Sequence, residues 1–141
     1  MKVIRIVAWA AVVAVAVFLL VQRFTTSQEV GAQLGGDFTL TAHTGERVSN
    51  KDFNDKYMLI YFGYSYCPDV CPLELAKLTL GLNQLEDEGY DTSPLQPLFI
   101  SIDPERETAA ALKEYVKDFH PRLIGLTGSM EEIQDVARKY R

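Results

Sequence analysis

The chain has 141 residues, 14 basic and 19 acidic, and a formal net charge of −5, which leaves room for one domain and an appendage. The acid excess argues against nucleic-acid binding, and two cysteines with two histidines cannot furnish a four-ligand zinc site or an iron–sulfur cluster.

At the amino terminus, Lys2 and Arg5 precede an unbroken apolar run from Ile6 to Val21, and Arg23 follows it. At about 1.5 Å per residue the run is roughly 24 Å long; counting from Val3 with Arg5 snorkelling gives about 28 Å, close to a ~30 Å hydrocarbon core. The competing reading is a cleavable signal peptide, but Val21-Gln22-Arg23-Phe24 offers no small-x-small cleavage site. Residues 1–23 therefore read as a signal anchor, a single transmembrane helix. Positive charge ahead of the run keeps the amino terminus cytoplasmic and exports the rest, to a compartment where disulfides persist. Lys2, Arg5 and Arg23 are three of the 14 basic residues and no acidic residue precedes Glu29, so the exported part carries 11 basic against 19 acidic side chains, a net −8. Such a surface discourages adhesion to anionic lipid, and it is also the ordinary composition of a solvated surface.

Residues 24–36 are polar and small and end in Gly35-Gly36, the composition of a flexible linker. The domain occupies residues 37–141. Phe38-Thr39-Leu40-Thr41 alternates apolar and polar, and His43-Thr44-Gly45-Glu46 turns it back toward Arg47-Val48, which predicts a hairpin with His43 as a solvated turn residue. Tyr57 to Phe62 is apolar at every position, the pattern of a strand buried on both faces. Beyond it lies Gly63-Tyr64-Ser65-Tyr66-Cys67-Pro68-Asp69-Val70-Cys71-Pro72, which holds both cysteines. Each cysteine precedes a proline and so favours an extended backbone, which places Cys71 at or beside a helix N-cap and Pro72 at the first helical position. Leu75, Leu78, Leu82 and Leu85 then mark the core face of a helix ending at Gly89.

Leu98 to Ile102 is a second buried strand, ending at Asp103-Pro104. Thr108 caps a helix with Leu112, Tyr115, Val116 and Phe119 facing inward, and His120 stands at its end as a structural group offsetting the dipole. Leu123 to Leu126 is a third short strand, and Ser129-Met130-Glu131-Glu132 is a capping box opening a helix with Ile133, Val136, Ala137 and Tyr140 on one face. Strands alternating with helices predict an α/β domain with a mainly parallel sheet, whose ligands gather beyond the carboxyl ends of the strands. Cys67 follows one such end and Asp103 the next.

Free N–H groups and the positive end of a helix dipole beside sulfur favour thiolate. Two such thiols can grip a soft metal ion, shuttle electrons or close an inert disulfide. Of the soft metals, Cu(I) is the one that two thiolates, or two thiolates and an imidazole, can satisfy. A bridge across so short a loop would add little stability. Asp103 can either hydrogen-bond near this site or simply open the Asp103-Pro104 turn.

The stretch from Phe62 to Leu75, with its Cys67-Pro68-Asp69-Val70-Cys71-Pro72, resembles the signature of the SCO/SenC copper-chaperone family, a branch of the thioredoxin-like fold. Asp103-Pro104-Glu105-Arg106-Glu107-Thr108 and the block from Phe119 to Gly128 are similar to two further blocks of that family, in the same order. The resemblance runs from about Gly35 to the last residue. It implies a thioredoxin-like fold and a copper carrier that binds Cu(I) through Cys67 and Cys71, the pair forming a Cys67–Cys71 disulfide when oxidised; Cu(II), which favours imidazole nitrogen beside thiolate, is expected to be held poorly without the family's histidine. The copper acceptor it implies is cytochrome c oxidase subunit II or a similar protein. The location is the inner (cytoplasmic) membrane, crossed once, with the domain facing the periplasm or its equivalent. No substrate would be turned over; the alternative is a thiol–disulfide oxidoreductase using the same two cysteines. The family also places two more strands, a last helix and a third, histidine ligand beyond the position of Arg141. On that comparison the domain is expected to be incomplete at its carboxyl end, with the Ile133, Val136 and Tyr140 face left uncovered.

Overall fold

The computed structural model describes residues 35–140 and, before them, Trp9, Ala14, Val15, Val17 and Phe18. The chain divides into two units, Met1–Leu34 and Gly35–Arg141. In the first, the five described residues are helical and exposed. The expected anchor, and the linker up to Gly35, otherwise lie outside the described residues, among which no helix is long and apolar enough to cross a membrane.

In the second unit, local pattern becomes structure in the expected order. Strand β1 (Thr39–Ala42) pairs antiparallel with β2 (Arg47–Ser49), Leu40 opposite Val48, across a turn where Gly45 takes a φ of +92°. A 3-10 turn, Asn50–Phe53, follows and buries Phe53. Then come β3 (Tyr57–Gly63), α1 (Val70–Asp87), β4 (Leu95–Ser101), α2 (Ala109–Val116), β5 (Ile124–Thr127) and α3 (Met130–Lys139). The sheet order is β2-β1-β5-β4-β3, with β3, β4 and β5 parallel and β1 antiparallel to both neighbours. The expected parallel βαβ units are present, extended by an antiparallel hairpin into a mixed sheet.

Strand β4 is the spine. Its Leu98 and Ile100 pack with Phe38, Leu40, Leu126, Ile133 and Val136 on one face of the sheet, and its Phe99 with Leu75, Leu112, Val116 and Leu123 on the other. Burying each such side chain contributes roughly 1.5–3 kcal/mol. Strands β3 and β4 pair in register from Tyr57↔Leu95 to Gly63↔Ser101, so the loops after Gly63 and Ser101 leave the sheet side by side. Ile102 N–H reaches across to Gly63 O at 2.8 Å.

Four expectations need correction. Strand β3 is not buried on both faces: among the described residues it pairs with β4 alone, and Met58 to Phe62 are half-buried. The leucine stripe of α1 is only partly core; Leu75 and Leu82 are buried, whereas Leu85 is 37% exposed and borders an apolar groove of about 650 Å³ between α1 and β3. The face of α3 is not bare, because Ile133 and Val136 are 3% and 0% exposed and pack against the sheet. Tyr140 closes that end against Phe38 and Phe62, and its hydroxyl donates to Gly36 O at 3.2 Å. The helix is strongly amphipathic, and the described sheet offers it an apolar face.

His43 is the fourth. It is half-buried, and its Nδ1 accepts the Gly125 N–H at 3.1 Å, clamping the hairpin turn to β5. His120 is structural, as expected, but for another reason. Helix α2 ends at Val116, and the histidine is 2% exposed in the following turn, its N–H on Thr79 Oγ1 and its Nδ1 accepting the Arg122 N–H.

Candidate metal centre

Gly63 ends β3 and makes room for the site. A Cβ there would stand 2.8 Å from the Tyr61 ring, 3.0 Å from Phe99 and 3.2 Å from Cys71 Sγ, so the buried thiol lies against the strand's own backbone. The chain then loops outward, and Cys67 N–H returns to Tyr64 O at 3.2 Å, closing a turn that presents Cys67 half-exposed.

Helix α1 begins at Val70 with Asp69 as its N-cap, so Cys71 lies inside the first turn and Pro72 is its third residue. The extended conformation expected for Cys71 is overridden. Every N–H of a first turn lacks an intrahelical partner, so a proline at its third position sacrifices no hydrogen bond, and the apolar pocket at Gly63 rewards burial of the Cys71 side chain.

The consequence is electrostatic. Cys71 N–H donates to Cys67 Sγ at 3.5 Å. The Asp69 N–H, then that of Cys71, hold the Cys67 thiol down from 9.0 to about 7. Both thiols are free. Burial, then its hydrogen bond to Cys71, pushes the Tyr61 phenol up to about 12. Burial, first of all, does the same to Tyr115, whose hydroxyl is buried without a hydrogen-bond partner among the described residues. The cysteine pair thus has one sulfur in an aromatic pocket and the other facing solvent.

Asp103 comes close to this loop indirectly. Its carboxylate pairs with Arg106, and the Arg106 guanidinium lies 5.3 Å from the centre of the Tyr66 ring, next to Cys67. Its carbonyl also accepts the Arg106 and Glu107 N–H groups, so Asp103 opens the turn as well.

The histidines are elsewhere. His43 and His120 line a different cavity of about 290 Å³, together with Lys113 and Lys117, and no cysteine borders it. Among the described residues no group of three or more His, Cys, Asp or Glu side chains converges as a metal site. What the described residues bring together is two thiols, which fits a low-coordinate soft cation and not a hard one.

Sequence reasoning missed Glu107 and Tyr115 as neighbours of the site, and gave Tyr61 and Gly63, which lie in the stretch it singled out, no role there. Glu107 is fully buried, its carboxylate accepting the Ser65 N–H and the Ser101 hydroxyl. A glutamate in Pro104-Glu105-Arg106-Glu107 reads as an exposed turn residue, and nothing in the local pattern signals its burial.

The SCO1/SenC family model matches residues 26–141. The chain is 54% identical over 109 residues to Protein SCO1 homolog, mitochondrial, of Homo sapiens, an alignment covering 77% of this chain and 36% of that protein. It is 46% identical over 108 residues to Protein SCO2, mitochondrial, of Saccharomyces cerevisiae, covering 77% and 35%. Among solved structures, it superposes on copper-bound ScoI of Arabidopsis thaliana with a TM-score of 0.71 at 48% identity, over 77% of this chain and 66% of that one. The figures for copper-bound yeast Sco1 are 0.71, 48%, 77% and 68%. These likenesses support the thioredoxin-like α/β architecture. The chain spans about a third to two fifths of the length of the human SCO1, bovine SCO2 and Arabidopsis SCO1 relatives it matches.

Proposed function

The chain belongs to the SCO1/SenC family, and from that membership we propose that it binds copper through Cys67 and Cys71 and carries it for the assembly of cytochrome c oxidase. The observation that carries the reading is the Cys67 sulfur held over the Cys71 N–H at the start of α1, with the second sulfur buried beneath it. Copper bound to two of its relatives supports the same cargo. The acceptor is cytochrome c oxidase subunit II or a protein offering similar ligands. Residues 1–23 anchor the chain in the inner membrane, and the domain at 37–141 works on the exported side, reached through the linker at 24–36.

Two thiolates around Cu(I) leave one net negative charge, and the helix N-terminus offsets it. Cys71, buried beside Gly63, holds the ion from within the protein. Cys67, half-exposed, is the ligand an incoming acceptor thiolate displaces first, so cargo leaves by stepwise ligand exchange with no change in oxidation state. On this reading the protein is a carrier and not an enzyme.

The same asymmetry favours a second reading, thiol–disulfide exchange. A Cys67 thiolate attacks an acceptor disulfide, forming a mixed disulfide and releasing one acceptor thiolate; Cys71 then displaces the other. The acceptor gains two electrons and the Cys67–Cys71 disulfide forms. The half-exposed Cys67 sulfur beside the Cys71 N–H is the observation behind it.

One experiment separates them. The full chain, reduced and free of oxygen, is titrated with Cu(I) against a chromophoric chelator, and its dithiol–disulfide potential is measured on the same sample. One tightly held Cu(I) per chain, lost in both Cys67→Ser and Cys71→Ser, is expected. Retention of near-stoichiometric copper by either variant overturns the ligand assignment. Failure of the wild type to take copper, with rapid reduction of a protein disulfide, transfers the case to the oxidoreductase.

A further inference from the structure

We propose that Glu107 is the positioning residue of the cysteine loop, its buried carboxylate fixing the Ser65–Cys67 backbone and thereby the approach of Cys67 Sγ to the first turn of α1. The inference deepens the reading of Cys67 and Cys71 given above and rests on it.

Glu107 is held from several sides. Its own N–H donates to Asp103 O at 3.1 Å, and the Thr127 hydroxyl donates to its carbonyl at 2.8 Å, so the end of β5 pins its backbone. The Ser101 hydroxyl, at the end of β4, donates to one carboxylate oxygen while Ser101 Oγ accepts the Asp103 N–H at 3.1 Å. The remaining carboxylate oxygen takes the Ser65 N–H, across 42 residues of sequence. All these anchors but the last belong to the sheet and the turn after it; the last belongs to the loop. Ser65 lies within the turn that Cys67 N–H closes on Tyr64 O, so a fixed Ser65 fixes the turn that carries the exposed thiol.

The chemistry of the tether argues for a role beyond filling space. The residue is 0% exposed, and among the described residues no basic side chain forms an ion pair with it. A carboxyl group so placed is unfavourable unless its oxygens are hydrogen-bonded. An apolar side chain of similar volume would fill the site at less cost, but it could not grip the loop N–H. When the tether is cut, the loop can swing Cys67 away from the Asp69 and Cys71 N–H groups. The reduced dithiol loses that stabilisation, which the disulfide does not need. Copper binding and the redox potential should therefore move together.

The test compares the full chain with Glu107→Ala, Glu107→Gln and Ser101→Ala, each first checked for native circular dichroism. Cu(I) affinity is read by competition with a chromophoric chelator, and the dithiol–disulfide potential in glutathione buffers. Loss of the tether in Glu107→Ala should weaken Cu(I) binding by about tenfold or more and shift the potential to more negative values. Glu107→Gln keeps a carbonyl oxygen for the Ser65 N–H and should stay within about threefold of the wild type. Ser101→Ala, a small change, should fall between them. Wild-type affinity and potential in folded Glu107→Ala, or a Gln variant no better than Ala, overturns the proposal. If Glu107→Ala does not fold, unchanged affinity and potential in Ser101→Ala overturn it instead. If the wild type takes no Cu(I), the copper reading fails while the potentials alone still judge Glu107.

Discussion

Cys71 donates its backbone N–H to the sulfur of Cys67 at 3.5 Å, so the buried cysteine supplies one of the groups that make the exposed one nucleophilic. The pair is therefore unequal by construction. Its inequality sets the first expectation.

Alkylation of Cys67 should follow a titration centred near pH 7, against 9.0 for an ordinary thiol. The folded value lies below the unfolded one, so the thiolate's contribution to stability is complete above pH 9.0 and is lost as pH falls through about 7. Iodoacetamide kinetics on full-chain Cys71→Ser, which keeps the N–H, check this. A midpoint near 9 would contradict it.

Gly63→Ala should destabilise the domain by about 1–3 kcal/mol, the ordinary range for overpacking. The new methyl would meet the Tyr61 ring, Phe99 and Cys71 Sγ at 2.8, 3.0 and 3.2 Å, and two of these are rings held in the core. Urea melts of the apo chain give the stability, and the rate of Cys71 alkylation shows whether its thiol has been pushed outward. A wild-type melt with Cys71 still protected is the outcome that sinks it.

The apolar faces of α3 and α1 should respond differently. Ile133→Ala removes a 3%-exposed side chain and should cost about 2–5 kcal/mol. Leu85→Ala, at 37% exposure beside an open groove, should stay within about 0.5–1 kcal/mol of the wild type. Equal losses in urea melts would mean that the groove is covered in solution.

Neither histidine should matter to copper. His43→Ala and His120→Ala should leave the Cu(I) stoichiometry of the reduced chain unchanged, because both side chains line a cavity that no cysteine borders. His120→Ala should still lower stability by about 1–3 kcal/mol, since it removes the acceptor of the Arg122 N–H. A variant that melts normally yet loses copper would make that histidine a ligand.

Much of this site is readable along the chain. The cysteine spacing, the apolar strand before it and the helix after it are local features, and they place two sulfurs at a strand-to-helix corner. The exact start of the helix is less local. Cys71 joins the first turn because a pocket formed by Gly63, Tyr61 and Phe99 receives its thiol, and Phe99 arrives from a strand 28 residues farther on in sequence.

By itself, the sequence determined the order of strands and helices, the Ser129–Glu132 cap, the inward faces of α2 and α3, and the identity of the two thiols. Those features follow from periodicity and capping over a few residues, where neighbours in sequence are neighbours in space. Only the tertiary structure decided that β3 lies at the edge of the described sheet, that His43 clamps β5, and that Glu107 is buried beneath the cysteine loop. The physical reason is that a strand's place in the sheet and the burial of a polar side chain depend on partners supplied by distant segments. Ser65 and Glu107 are 42 residues apart, and no pattern local to either one encodes the bond between them.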